Sequence, residues 1–340
     1  MKHTKFVHNF LEDSSKLFPD KPAFFANGNW HTYHAINKQA NQLAHYFIKI
    51  GIKKGERIAL LIENSIEYVV TYYAILKVGA ITVALNTDST ANDLEYILND
   101  CEVTLLVASQ KLFRNAKSLF ENTPLTPPLP RGDTEGRGVK AWEKKVLVWS
   151  NLKKIQLEES NTEVSLLPAE LEEMPEDNPD IRIIDLDIAS IVYTSGSTGK
   201  PRGATLKHLN IVSNTRSIVE YLHLTSEDRI MVVLPFYYIY GKSLLNTHFF
   251  AGGSVVVDNR FLYPNVVLKT MQEQKVTGFS GVPSTFTILL NRSDVRNQKI
   301  ESLRYLTQAG GAMAPAVQKE VADVFSPAEL YIMYGATEAS

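Results

Sequence analysis

The chain is 340 residues long, with 44% hydrophobic and 21% charged residues, the make-up of a soluble globular protein with a large core and room for more than one subdomain. A net charge of −2 gives no electrostatic reason to bind nucleic acid or an anionic membrane. A lone cysteine, Cys101, excludes an internal disulfide framework and points to a reducing cytoplasm.

The first residues do not form a signal peptide, because Phe6, Val7, Phe10, Leu11, Leu17 and Phe18 are spread at helical spacing rather than gathered into an apolar block. His31 and His34 fall in a strand-to-helix turn, where a structural role is expected rather than metal binding. Residues 34–50 read as an amphipathic helix with Ile36, Ala40, Leu43, Ala44 and Phe47 on one face. Strand and helix then alternate: a strand over 57–62, a helix over 66–77, a strand over 80–85, a helix over 91–99 and a strand over 103–108. The apolar stretch from Tyr68 to Leu85 holds Lys77 and Gly79 and divides into helix and strand, so no integral membrane segment is expected. Repeated units of this kind imply right-handed crossovers and a parallel sheet covered on both faces.

From about 121 to 145 the periodicity collapses into a Pro-, Gly- and charge-rich run, read as a disordered insertion without a catalytic role. Val146–Trp149 resumes as a strand, and the acidic stretch 158–180, devoid of Lys and Arg, reads as a solvated loop. Later helices are expected over 206–222, 244–250, 264–274 and 316–325, and strands over 230–234, 254–257, 278–280, 304–308 and 330–334.

The segment YTSGSTGKPRGA, Tyr193–Ala204, carries the most chemistry. The apolar residues Ile188, Ala189, Ile191 and Val192 run into the polar and glycine positions Thr194, Ser195, Gly196, Ser197, Thr198, Gly199 and Lys200. Glycines let backbone N–H groups converge on phosphate oxygens, hydroxyls add short donors, and Lys200 adds a point charge. A Walker A loop is excluded, since its first glycine and its post-lysine hydroxyl would fall at Thr194 and Pro201. Two further elements, Gly310–Gly311–Ala312 and Thr337–Glu338, also follow expected strands, and ligands of open α/β sheets sit beyond strand carboxyl ends. Glu338 is a hard oxygen ligand suited to Mg²⁺.

Taken together, YTSGSTGKPRGA, AGGAMAP (309–315) and YGATE (334–338) resemble the signature motifs of the adenylate-forming, AMP-binding superfamily, in that family's order. Similarity to its acyl-CoA synthetase branch continues through WHTYHAINKQANQLAHYF and AILKVGAITVALN, so it covers nearly the whole chain apart from the insertion. The resemblance implies an α/β fold of parallel-rich sheets covered by helices, the large N-terminal domain of the adenylate-forming fold. It implies ATP and Mg²⁺, with activation of a carboxylic acid to an acyl-adenylate and transfer to a thiol such as coenzyme A. It assigns Thr194, Lys200, Thr337 and Glu338 to catalysis, with Glu338 on the metal. The nucleotide would meet residues 194–200, Gly310, Gly311, Ala312, Tyr334, Gly335 and Thr337. The acid would meet PFYYIYG and GVPST, through Tyr237, Tyr238, Gly241, Gly281 and Pro283. Where amino-acid-activating relatives carry Asp, this chain has Tyr238, uncharged near neutral pH, so an apolar acyl or aryl acid is favoured over an α-amino acid.

The family's ribose-binding aspartate, hinge and small lysine-bearing domain have no counterpart in residues 1–340, so the chain is expected to be an incomplete adenylation domain. Three readings stay open: a truncated ligase, a split enzyme completed by a separate chain supplying the lysine domain, and a non-catalytic nucleotide-binding remnant. A domain loading a carrier protein in place of coenzyme A is a further alternative.

Overall fold

The structure is a computed structural model, described here for residues 4–116, 145–150, 163–167, 171–194 and 201–339. In chain order the elements are α1 (Asn9–Leu17), β1 (Pro22–Ala26), β2 (Asn29–Thr32), α2 (Tyr33–Lys49), β3 (Arg57–Leu61), α3 (Ile66–Lys77), β4 (Ile81–Ala84), α4 (Ala91–Asp100), β5 (Leu105–Ser109) and α5 (Gln110–Asn115). There follow β6 (Lys145–Trp149), β7 (Glu163–Leu167), β8 (Ile188–Thr194), β9 (Arg202–Lys207), α6 (His208–Tyr221), β10 (Arg229–Val232), α7 (Ile239–Ala251) and β11 (Ser254–Val257). The last are α8 (Pro264–Glu273), β12 (Gly278–Gly281), α9 (Pro283–Arg292), β13 (Tyr305–Gln308), α10 (Pro315–Val324), β14 (Glu329–Ile332) and a 3₁₀ turn at Thr337–Ala339.

The strands form two seven-stranded sheets, ordered β14-β13-β12-β10-β11-β1-β2 and β7-β6-β5-β3-β4-β8-β9. Pairing is parallel throughout except at β1–β2 and β8–β9, which lie at sheet edges. The largest hydrophobic cluster lies between the sheets, joining Leu60 and Val192 of one with Ile230 and Val255 of the other through α2, α3 and α7. A second cluster packs α8, α9 and α10 on the outer face of the first sheet, and a third packs α4 and α5 on the outer face of the second. The result is a layered α–β–α–β–α stack. It explains why the central α3 and α7 are buried nearly all round, as helices enclosed on several sides must be.

Local chemistry sets the helix starts. Thr32, Ser65, Thr90 and Ser109 each accept a backbone N–H at the start of α2, α3, α4 and α5. α8, α9 and α10 begin on Pro264, Pro283 and Pro315, whose missing N–H costs nothing in a first turn.

Three sequence expectations are corrected. The acidic stretch 158–180 contains β7, whose Val164, Leu166 and Leu167 pair it in parallel to β6. The helix placed at 206–222 begins at His208, because Arg202–Lys207 turns back as β9 against β8. The helix placed at 244–250 starts earlier, at Ile239, so the Ile-Tyr-Gly end of PFYYIYG is helical. Of the hairpin β1–β2 the sequence showed only a strand running into the turn at His31 and His34. The insertion at 121–145 lies outside the described residues but for Lys145, which opens β6.

Candidate active site

In the first sheet the chain departs in opposite directions from β10 and β12, the crevice where ligands of open parallel sheets bind. That crevice opens into a cavity of about 1270 Å³ shared by both sheets. The first sheet contributes Leu234 beyond β10, Val282 and Pro283 beyond β12, Ala309–Gly311 beyond β13 and Met333–Thr337 beyond β14. The second contributes Ala84 of β4 and Val192–Thr194 of β8, and helix α6 closes one wall with Ile211, Thr215 and Ile218. A drug-sized ligand occupies a pocket of ~300–1,000 Å³, so the space accommodates more than one small group side by side.

The nucleotide candidates lie as follows. Thr194 ends β8 and lines the cavity. Ser195, Gly196, Ser197, Thr198, Gly199 and Lys200 lie outside the described residues; Thr194 and Pro201 on either side of them line the cavity. Gly310 and Gly311 line the wall, whereas Ala312 does not. Gly310 has φ +80, and a Cβ there would sit 2.9 Å from Val282 Cγ1, so both backbone and packing call for glycine. Tyr334, fully exposed, Gly335 and Thr337 also line the cavity. Glu338 follows on the 3₁₀ turn, exposed and beside β9 rather than in the wall. A single carboxylate at this rim suits a Mg²⁺ held chiefly by substrate phosphates and water. Among the described residues no group of three His, Cys, Asp or Glu is gathered for a metal.

The acid candidates Tyr237, Tyr238, Gly241 and Pro283 line the same cavity, and Gly281 lies just behind it under Thr285 and Phe286. Tyr237 and Tyr238 stack at a tilt with ring centroids 4.5 Å apart. Burial and the adjacent Tyr238 push the Tyr237 hydroxyl up to about 12, so it stays protonated as a donor. Phe236, part of the same aromatic run, instead packs into the core against Phe24 and Tyr68. Gly241 is indispensable to this turn, since a Cβ would lie 2.2 Å from the carbonyl oxygen of Pro235. Tyr240 lines the cavity while its hydroxyl meets Thr307 Oγ1 at 2.7 Å, which meets Ser280 Oγ at 2.6 Å, tying α7 to β13 and β12.

Several residues that shape the site escaped the sequence reading. Asn64, just beyond β3, donates from Nδ2 to Leu234 O (2.8 Å) and accepts at Oδ1 from Phe236 N (2.8 Å). It thereby holds the start of the aromatic turn from the opposite sheet. Gln308 donates from Nε2 to Ala309 O (3.0 Å) and Gly311 O (2.8 Å), setting the glycine turn. Lys242 and Asn246 put buried polar groups on α7, and Lys242 lies outside the helix that the sequence placed at 244–250.

Known proteins agree with this architecture. The family model described as AMP-binding enzyme matches residues 11–340. The chain is 28% identical over 343 residues to a putative acyl-CoA synthetase, YngI, of Bacillus subtilis, covering 98% of this chain and 61% of that protein. It is likewise 28% identical to a long-chain-fatty-acid–CoA ligase of the same organism, covering 99% of this chain and 60% of the relative. The chain thus spans about three fifths of the length of these relatives. The crystal structure of the anthranilate CoA ligase AuaEII in complex with anthranoyl-AMP superposes with a TM-score of 0.82 at 23% identity, covering 99% of this chain and 61% of that one. Motifs, layered fold and family model converge, and the chain belongs to the AMP-binding enzyme family.

Proposed function

We propose that this chain binds ATP and a carboxylic acid side by side in the shared cavity and supports acyl-adenylate formation, with coenzyme A as the eventual acceptor. The observation that carries this reading is the convergence of strand ends from both sheets on one space. Thr194, Gly310, Gly311, Tyr334 and Thr337 are gathered there with Tyr237, Tyr238, Gly241 and Pro283. In the reaction a carboxylate oxygen attacks the α-phosphorus, the bond to the bridging oxygen breaks, and pyrophosphate leaves with the electron pair. A thiolate sulfur then attacks the acyl carbon and AMP departs. Both reactants of the first step are anionic, so the work is positioning and charge neutralisation. Thr194, Lys200 and Thr337 are the donors toward phosphate, Glu338 is the ligand for Mg²⁺, and the Tyr237–Tyr238 face bears on the apolar body of the acid. Thiol transfer, in this reading, uses a lysine-bearing domain outside residues 1–340, on the same polypeptide or a separate one. ATP, coenzyme A and a free thiol at Cys101 suit a cytoplasmic enzyme. No helix among the described residues is long and apolar enough to cross a membrane.

Calorimetric titration with ATP and Mg²⁺ tests the nucleotide half. Lys200→Ala should weaken binding by about tenfold, the loss of roughly one charge-assisted contact, with an unchanged circular dichroism spectrum. Unaltered affinity would remove Lys200 from the site. Pyrophosphate exchange with fatty and aryl acids, with and without an added lysine-bearing domain, tests the chemistry. ATP binding without exchange in either setting would leave a non-catalytic nucleotide-binding protein.

A further inference from the structure

Lys242 is fully buried on α7, and among the described residues no ion pair includes it. From β8 it faces Ser190, whose Oγ accepts from Nζ at 3.3 Å; from α3 it faces Tyr72, with Nζ 5.5 Å from the ring centroid. A buried ammonium without a carboxylate is costly, and burial pulls this one down to about 7. Four residues on, Asn246 donates from Nδ2 to the same Tyr72 hydroxyl at 3.4 Å, while its buried Oδ1 has no partner. Turning the amide over exchanges the two atoms and leaves the other one unpartnered, so the shortfall does not depend on which way it points.

Two rows of side chains lead from the cavity to this cluster. On β8, Thr194 and Val192 line the cavity, and Ser190 is the next residue on the same face. On α7, Ile239, Ser243 and Asn246 line it, and Lys242 falls on their stripe at helical spacing. The rows meet at the Lys242 Nζ–Ser190 Oγ contact. A strictly apolar acid ending here would leave the ammonium without a counterion and one atom of the amide without a partner.

Resting on the reading of this cavity as an acid-activating site, we propose that Lys242 and Asn246 form a subsite for a second carboxylate, so that the acid taken is a dicarboxylic acid. One carboxylate is presented to the nucleotide and the other, across an apolar spacer held by the tyrosines, pairs with the Lys242 ammonium and the Asn246 amide.

The test is calorimetric titration of this chain, with ATP and Mg²⁺ present, using adipate and hexanoate, which share six carbons and differ only at the far end. At pH 8, in two buffers of different ionisation enthalpy, adipate should bind at least about tenfold tighter than hexanoate and take up close to one proton as Lys242 becomes charged. In Lys242→Met both the preference and the proton uptake should vanish while hexanoate affinity holds. Asn246→Leu should reduce the preference and leave the uptake. Hexanoate binding as well as adipate, or a preference that survives Lys242→Met, overturns the subsite. ATP binding with no acid of either kind bound overturns the acid reading beneath it. The wild-type comparison stands without any variant, so a misfolded Lys242→Met does not spare the proposal.

Discussion

At Asn64 one side chain spans the seam between the sheets, bonding Leu234 O and Phe236 N at positions about 170 residues away in sequence. It is buried, so replacing it by leucine strands a carbonyl and an amide where water does not reach. Each stranded group costs ~1–3 kcal/mol, so Asn64→Leu should lose about 2–6 kcal/mol in urea unfolding followed by tryptophan fluorescence. ATP affinity should fall less than affinity for the acid, because the bonds hold the aromatic turn rather than the glycine turn. A midpoint within error of wild type would mean that the turn holds itself. Long-range contacts of this kind mark the limit of what the sequence discloses. Gly310 and Tyr238 stand in motifs that can be read by eye, whereas Asn64 and Gln308 act through partners that only folding brings near. Lys242 stands between Gly241 and Ser243 in the sequence, and nothing there discloses its burial without a counterion.

Among the elements, α3 and β11 run over the very residues that periodicity assigned, because their apolar runs are bounded by a serine cap in one case and by Gly253 in the other. β9 was missed because its alternation is short, with only Ala204 and Leu206 apolar between exposed Gly203, Thr205 and Lys207; its pairing to β8 makes it a strand. β7 was masked by the acidic residues around it. Within the central hydrophobic cluster a buried ion pair joins α3 to α1. Lys77 on α3 donates to Glu12 Oε1 on α1 at 2.6 Å and to Asn178 Oδ1 at 2.9 Å. Burial pulls the Lys77 ammonium below its usual range, and the Glu12 carboxylate opposes that fall. Removing one partner of such a pair leaves an uncompensated charge, at ~3–5 kcal/mol. Glu12→Gln should therefore destabilise by about that amount, and Glu12→Gln combined with Lys77→Met should recover most of the loss. Equal stability of the single and double variants would show that the ammonium left behind in Glu12→Gln carries no penalty.

For the molecule as a whole, burial holds three imidazoles neutral. His8 and His208 are pushed down to about 3, the former further lowered by Lys77 and the latter by His8, and His248 is pushed down to about 4. An unfolded histidine titrates near 6.5, so below that pH the unfolded chain takes up protons that the folded chain refuses. The sign is fixed: full stability above about pH 6.5, with loss as pH falls toward the folded values. With all three engaged the slope approaches ~4 kcal/mol per pH unit. Urea midpoints measured from pH 7.5 to 5 should hold down to about 6.5 and then drop steeply, and His248→Gln should flatten the drop by about a third. A midpoint constant down to pH 5 would show that these rings are protonated in the fold.

The β8–β9 hairpin has a mechanical consequence. Thr194 and Arg202 oppose each other on the ladder, which rivets two plates together at the edge of the cavity. One plate is β8, bonded to β4 and through it to the second sheet; the other is β9, continuous with α6 and its cavity wall. A displacement of β8 is therefore shared between sheet and helix. It reaches Ile211, Thr215 and Ile218 in the cavity wall without any hinge.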